Sequence, residues 1–357
     1  MKGLILAAGL GTRLRPITSL KPKPTIAVAN RPLIHHAVDN LIEAGVREIG
    51  VVVSYLTINS IKETLAGYED VRFEYILQNP PQGLAHAVQV SRAFLGDDPF
   101  VMYLSDNLFE HGIRGFVDAF RPEDGVNAVL ALVPVSREAA RSLGVAVVKD
   151  DRITRLVEKP QDPPSTLAVA GVYVFDASIH AMIDGLEPGA KGEYQITDAI
   201  QRLIEADYVV VPVEVEGWWK DTGQPEDILD ANRLLLARVK REVRGEVEGS
   251  TLVGEVMVAE GAIVKDTTVF GPAIIGANAR VEGAYVGPFT SIGEDVVLRN
   301  AELEYAVVGA RSVIDGVGPR IQASLIGEDV QIVGHRGRPS THRLIVGDES
   351  RIQLQEP

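Results

Sequence analysis

The sequence predicts an α/β protein in two parts. A doubly wound, mostly parallel sheet is expected over residues 1–243, and a parallel β-helix of hexapeptide repeats over residues 244–357. Three observations lead there. Apolar, β-branched runs alternate with amphipathic helical stretches through the first two-thirds of the chain, the pattern of βαβ units. A glycine-rich turn, at Gly9 and Gly11, follows the first apolar run directly. From about Thr251 the chain changes to short units in which an aliphatic residue stands just ahead of a glycine.

Taken in order, strands are expected at residues 3–8, 48–53, 73–77, 100–104, 128–133, 144–149 and 171–175. Residues 32–44 and 85–94 carry apolar side chains at helical spacing, and a helical stretch at 225–243 is expected to close the first domain. In doubly wound sheets ligands bind beyond the carboxyl ends of the strands, so the loop after Ala8 is placed at a site. The later units include Ile275-Gly276-Ala277-Asn278-Ala279, Val286-Gly287-Pro288-Phe289-Thr290, Val308-Gly309-Ala310-Arg311-Ser312 and Val346-Gly347-Asp348-Glu349-Ser350. Val286 to Ile292 is six residues, and Val308 to Ile326 is three sixes. Each unit then forms one face of a coil with its aliphatic residue pointing inward. The spacing is interrupted, which predicts insertions or an irregular coil.

Composition narrows the function. With 357 residues, 46% hydrophobic and 24% charged, the chain suits a globular protein with a substantial core. No apolar run approaches the roughly 20 residues of a membrane span. The apolar N-terminus runs into a glycine turn rather than a cleavage site, so it reads as a buried strand and not a signal peptide. The absence of cysteine excludes disulfides and thiolate metal sites, and a cytoplasmic protein is expected. A net charge of −14 argues against nucleic-acid binding. Against that background Lys2, Arg13, Arg15, Lys21, Lys23 and Arg31 all precede the first acidic residue, Asp39. The glycines among them favour an anion site over a solvated patch.

The strongest motif is Leu6-Ala7-Ala8-Gly9-Leu10-Gly11-Thr12-Arg13-Leu14-Arg15-Pro16, followed by Lys21-Pro22-Lys23-Pro24. Glycines let successive N–H groups face a phosphate chain, and the cations beyond can neutralise it. The spacing is neither that of a Walker loop nor that of a dinucleotide fingerprint. Five more segments follow: Gln78-Asn79-Pro80-Pro81-Gln82-Gly83-Leu84-Ala85-His86-Ala87, Leu104-Ser105-Asp106-Asn107, Val157-Glu158-Lys159-Pro160, Gly192-Glu193-Tyr194-Gln195-Ile196-Thr197-Asp198 and Trp218-Trp219-Lys220-Asp221-Thr222-Gly223. In this order they resemble the signature segments of the sugar-1-phosphate nucleotidylyltransferases, and the chain looks closest to their long-form glucose-1-phosphate thymidylyltransferases.

The resemblance implies a Rossmann-like catalytic domain, a left-handed β-helix, and transfer of a nucleotidyl group from dTTP or UTP to glucose 1-phosphate. Both reactants are anionic, so the site must hold them aligned against their repulsion, and a hard divalent cation on carboxylates is the usual solution. By resemblance Asp106 and Asp221 hold Mg²⁺. An aspartate after a strand is by itself more often a turn residue; two in matching segments reverse that reading. By the same resemblance Arg13 and Lys23 contact the triphosphate, with Leu6, Gly9, Gly11, Thr12, Gln78, Pro81, Gly83 and Asp106 around the nucleotide. Lys159 orients the sugar phosphate, Glu158 holds hexose hydroxyls, and Asn107, Gly144, Val169 and Tyr173 complete that pocket. Without the resemblance, Glu158 and Lys159 read as a surface pair before a proline.

Trp218 and Trp219 are expected to pack beside the site, and His35, His36 and His86 receive no catalytic role. Two positions depart from the family pattern. Ser105 stands where a glycine usually precedes the metal-binding aspartate, and Gln195 where a glutamate is common, so only Glu193 and Asp198 carry over, as supporting residues. UTP or an amino-sugar phosphate is the near alternative, because one methyl group discriminates by only about 1–3 kcal/mol. An acyltransferase in the β-helix is disfavoured, since His335 and His342 both lie near the end. A silent regulatory subunit is disfavoured because Arg13, Lys23, Asp106, Lys159 and Asp221 are all present. The flat faces of a β-helix predict a homo-oligomer.

Overall fold

In the computed structural model, which describes residues 1–189 and 192–334, β1 (Lys2–Leu6) lies inside a twisted sheet. With β2 (Glu48–Val53), β3 (Arg72–Leu77) and β4 (Phe100–Leu104) it forms a parallel array in the order β3-β2-β1-β4. The chain continues through β5 (Asn107–Phe109), β6 (Val126–Pro134), β7 (Gly144–Lys149), β8 (Arg152–Glu158), β9 (Leu167–Phe175), β10 (Val209–Glu214) and β11 (Trp219–Asp221). β9 runs antiparallel to β4, β6 and β7, while β10 returns parallel to β6. Leu4 and Ile5, adjacent on β1, enter separate clusters on the two faces and are both fully buried. A strand buried on both faces must be apolar throughout rather than alternating, which is why these runs stand out in the sequence.

Among the described residues five helices run seven residues or more. They are α1 (Leu33–Glu43), α2 (Ile58–Leu65), α3 (Leu84–Val90), α4 (Ile196–Glu205) and α5 (Pro225–Leu236). α1 buries Leu33, Ile34, Ala37, Val38 and Leu41, one stripe at helical spacing. The helix expected over 85–94 is divided at Ser91, whose hydroxyl donates to the Ala87 carbonyl at 2.7 Å. Such back-bonding from serine bends or breaks a helix.

Two compact units emerge. The first takes Met1–Leu10, Pro22–Thr25 and Leu33–Asp221; the second takes Gly11–Lys21, Ile26–Pro32 and the chain from Thr222 onward. α5 therefore groups with the second unit, and it ends at Leu236 rather than continuing to residue 243. Its buried Asn232 accepts from the Ala29 N–H and the Ser291 hydroxyl, and donates to the Phe289 carbonyl. One amide thus ties α5 to the 26–32 segment and to the coils.

From Glu242 the second unit is a three-faced solenoid of short parallel strands. Thr251 pairs with Thr268, Thr268 with Tyr285 and Tyr285 with Glu302, a step of seventeen residues per coil. Later coils lengthen: Leu303 pairs with Ile321 and Val313 with Gln331, a step of eighteen. Before them Ser291 pairs with Val307 and Val297 with Val313, a step of sixteen, so the interrupted spacing is one or two residues short of three hexapeptides. The motif glycines have a steric cause. A Cβ on Gly276 would stand 2.6 Å from the Gly293 carbonyl carbon, and one on Gly309 equally close to that of Gly327. Successive coils meet backbone to backbone along this column. The unit at Val346, together with His335 and His342, lies outside the described residues. Among those described, no helix is long and apolar enough to cross a membrane.

Gly293→Ala, whose new Cβ would meet the Val308 carbonyl oxygen at 2.7 Å, should lower stability by about 1–3 kcal/mol. The unfolding midpoint in denaturant reads this directly; an unchanged midpoint would mean the coils can part without cost.

Candidate active site

The carboxyl ends of the parallel strands carry most of the expected residues. Leu6 ends β1, and its carbonyl accepts both the Ser105 N–H at 3.3 Å and the Ser105 hydroxyl at 2.7 Å. The serine at the family's glycine position thus turns its side chain inward and ties β1 to the end of β4. Gly9 is exposed, and a Cβ there would meet no protein atom within 4 Å. Internal packing does not require that glycine, which leaves the surface open to a ligand.

Gln78 follows β3 and is 4% exposed. Its amide nitrogen donates to the Gly83 carbonyl at 2.9 Å and faces His86 Nδ1 at 3.2 Å. Gly83 has φ +97°, and a Cβ there would stand 2.5 Å from the Tyr194 carbonyl oxygen, so glycine is required. Tyr194 clamps the loop by donating from its N–H to Gln82 and accepting from the Ala85 N–H. Pro81 is exposed on the same loop.

Lys23 stands on a short 3₁₀ turn whose Thr25 hydroxyl and N–H both bond the Pro22 carbonyl. Its ammonium lies 2.6 Å from Asp106 Oδ2 and 3.8 Å from Asp221 Oδ1. The two aspartates meet because β5 and β11 pair antiparallel with Asn107 opposite Asp221. Asn107, expected near the sugar phosphate, is 3% exposed and works inside the protein. Its amide nitrogen donates to Asp106 Oδ1 at 2.8 Å, its amide oxygen accepts from the Trp219 indole at 2.7 Å, and its carbonyl accepts from Tyr103. The space for it comes from Gly171, where a Cβ would stand 2.5 Å from Asn107 Oδ1 and where β9 breaks its register with β6.

Gly144, Glu158 and Lys159 gather at the open end of the β7–β8 hairpin. Gly144 pairs with Glu158, and the Thr197 hydroxyl at the start of α4 donates to Glu158 Oε2. The ammonium of Lys159 contacts Glu158 Oε1, and its N–H bonds the Leu143 carbonyl at 3.1 Å. Lys159 holds φ +42°, an uncommon conformation for a side-chain-bearing residue and a frequent mark of functional sites. Val169 and Tyr173 are buried on β9. Burial, then the Glu158 charge, raises the Tyr173 phenol far above its ordinary range, so it stays neutral. Asp198 is shifted upward by desolvation and by Glu158. Gly11, Thr12 and Arg13 belong to the second unit, where Gly11 caps the Thr12–Leu14 turn in the left-handed conformation and Arg13 is exposed.

Comparison with known proteins gives this arrangement a family. Residues 2–238 match the model of the nucleotidyl transferase family. The chain belongs to that family. This nucleotidyl transferase is 40% identical to a glucose-1-phosphate thymidylyltransferase of Streptomyces antibioticus, over 99% of the chain and 100% of the relative. It is 45% identical to the low-salt glycan biosynthesis nucleotidyltransferase Agl11 of Haloferax volcanii, over 73% and 74% respectively. A solved UDP-glucose pyrophosphorylase complexed with UDP-glucose superposes with a TM-score of 0.60 at 27% identity, covering 66% of this chain and 98% of that one.

The Mg²⁺ implied for this family can be tested against the donors present. Two carboxylates converge on a single cation position, and both offer hard oxygens. Among the described residues no group of three His, Cys, Asp or Glu could cage a metal. An ion held by these two carboxylates would need its other ligands from water and phosphate, which is how Mg²⁺ is usually held. The residues fit.

Sequence reasoning missed Asn40, which donates to the Tyr103 hydroxyl at 2.8 Å, as well as Thr197, Tyr194 and the orienting role of His86. For the last, its position within the Gln78–Ala87 segment was the available signal. Burial lowers the His86 pKa from the ordinary 6.5, and with Gln78 donating, its Nδ1 must be unprotonated. The contact is therefore intact above about 6.5 and lost as pH falls through the lowered folded value. Losing one hydrogen bond, worth about 0.5–1.5 kcal/mol, should raise KM for the nucleotide about two- to tenfold on acidification. His86→Leu should remove that part of the pH dependence; an unaltered profile would separate His86 from nucleotide binding.

Proposed function

We propose that this enzyme transfers a thymidylyl group from dTTP to α-D-glucose 1-phosphate, giving dTDP-glucose and pyrophosphate. The observation that carries the base assignment is the orientation of Gln78. Its amide nitrogen is taken up by Gly83 and His86, which leaves the side-chain oxygen as an acceptor. The N3–H of thymine or uracil donates to such an oxygen, with a neighbouring base carbonyl facing the Gly83 N–H, whereas cytosine presents an acceptor at the same position.

In the reaction an oxygen of the sugar phosphate attacks the α-phosphorus in line, the bond to the α–β bridging oxygen breaks, and pyrophosphate departs with that oxygen. No general base is needed, because the attacking phosphate is already ionised. Lys23 supplies positive charge beside the triphosphate, and Arg13, on the loop that follows Gly9, supplies more, countering charge that grows on the leaving group. Leu6, Gly9, Gly11 and Thr12 carry the nucleotide along the loop backbone. Lys159 binds and orients the attacking phosphate, Glu158 and the Gly144 N–H hold hexose hydroxyls, and Val169 and Tyr173 wall the ring. A Mg²⁺ held by Asp106 and Asp221 would neutralise triphosphate charge at the reacting phosphorus.

UTP is the second reading, supported by the likeness to a pyrophosphorylase that holds UDP-glucose. Pyrophosphate release across dTTP, UTP, ATP, CTP and GTP, each with glucose 1-phosphate and its amino analogue, tests the proposal. A dominant rate with dTTP and glucose 1-phosphate is expected; a UTP preference replaces the base assignment, and no release from any pair overturns the activity. Asp106→Asn and Asp221→Asn should each lower kcat at least about a hundredfold with the fold retained by circular dichroism. Near-normal rates in both would move the metal site elsewhere.

A further inference from the structure

The phosphate loop is held by charge from the far end of the solenoid. Gly11–Lys21 belongs to the second unit together with the coils. The Lys21 ammonium contacts Glu328 Oε2. Arg311, one coil earlier, donates to the same Glu328 oxygen at 2.6 Å and grips Asp329 at 2.8 Å through two nitrogens. That grip lowers the Asp329 carboxyl, with a smaller contribution from Lys21. The coil below is itself fixed, because the Ser312 hydroxyl donates to the Gly327 carbonyl at 2.9 Å and accepts from the Val330 N–H. A second contact adds shape to the charge. Ile17 Cδ1 lies 3.7 Å from where a Cβ of Gly327 would stand, so the loop rests on that corner.

The loop closes upon itself as well. Thr18 donates from its hydroxyl to the Gly11 carbonyl at 2.8 Å, and Leu14, buried, donates its N–H to the same carbonyl. Movement at Lys21 and Ile17 is therefore passed to Gly11 and to Arg13 between them.

We propose that Glu328 is a positioning residue for the triphosphate: through Lys21 it sets the 11–21 loop, and hence Arg13, from the β-helix. This rests on the reading of that loop as the nucleotide-binding segment. The chemistry predicts a selective effect. Disturbing Glu328 should weaken the nucleoside triphosphate while leaving the sugar phosphate, bound by the β7–β8 hairpin, untouched.

The chain offers a readout independent of turnover. Arg15, Lys21, Lys23 and Arg31 are each followed by proline, so between residues 11 and 32 trypsin can cut only after Arg13. Glu328→Lys and Lys21→Glu should each speed cleavage after Arg13, and raise KM for dTTP, by about fivefold, while KM for glucose 1-phosphate stays within about twofold. The double charge swap should recover most of both losses, and Glu328→Gln should fall between. Singles that change neither cleavage nor KM overturn the proposal. So does a double variant whose defect is the product of the singles, since Lys21 then acts independently of Glu328. If the wild-type protein turns over no nucleotide, the activity reading fails, yet the cleavage rates still decide whether Glu328 holds the loop.

Discussion

The ammonium of Lys23, set between the carboxylates of Asp106 and Asp221, is the interaction around which the catalytic half is organised. Two anionic side chains brought to one edge repel each other, and each would repel an incoming triphosphate more strongly still. A cation on a short rigid turn neutralises the pair and fixes their spacing. The side chain of Lys23 is 11% exposed, so water screens this attraction less than it would on an open surface. Each partner of the lysine offers hard carboxylate oxygens, the donor type a divalent ion would take if it entered beside the phosphates.

Around that cluster the polypeptide works as a set of struts. Asn107 holds Asp106 with one atom and Trp219 with another, and so joins two strands whose pairing brings the aspartates together. Gly171 makes the room, and the loss of register in β9 is the visible result. Ser105 closes the gap between the ends of β1 and β4. None of these three residues needs to touch substrate. Their common effect is that the carboxylates do not have to be ordered when substrate binds, and preorganisation of this kind is what electrostatic catalysis depends upon.

Much of this was legible in the sequence because the signals are local. The apolar runs at 48–53, 100–104 and 144–149 coincide with strands, and the glycine turn after Ala8 lies at the carboxyl edge of the sheet. Other features escaped because they depend on long-range pairing. Nothing near Arg152 announces an edge strand, since β8 buries only Ile153 and Leu156, three positions apart across a break in register, and takes its identity from the hairpin with β7. Asn107 reads as a polar residue beside an aspartate, and only the approach of Trp219, 112 positions away, shows its role. The helix over 85–94 looked continuous because periodicity registers apolar spacing and not the hydroxyl of Ser91. In the solenoid the aliphatic-glycine units were plain, but the seventeen-residue step was not, because corner turns vary in length while the faces keep their pattern.

The glycine column has a consequence for distance. Where coils touch backbone to backbone, their separation cannot be compressed, and each adds one strand spacing of about 4.8 Å to the length of the rod. A solenoid built this way is a ruler, graduated in coils. Its last described turn stands a whole number of graduations from the first, and that count decides whether Glu328 comes level with Lys21. Adding or removing one coil would preserve every local rule of the repeat and still leave these two charges a full graduation apart.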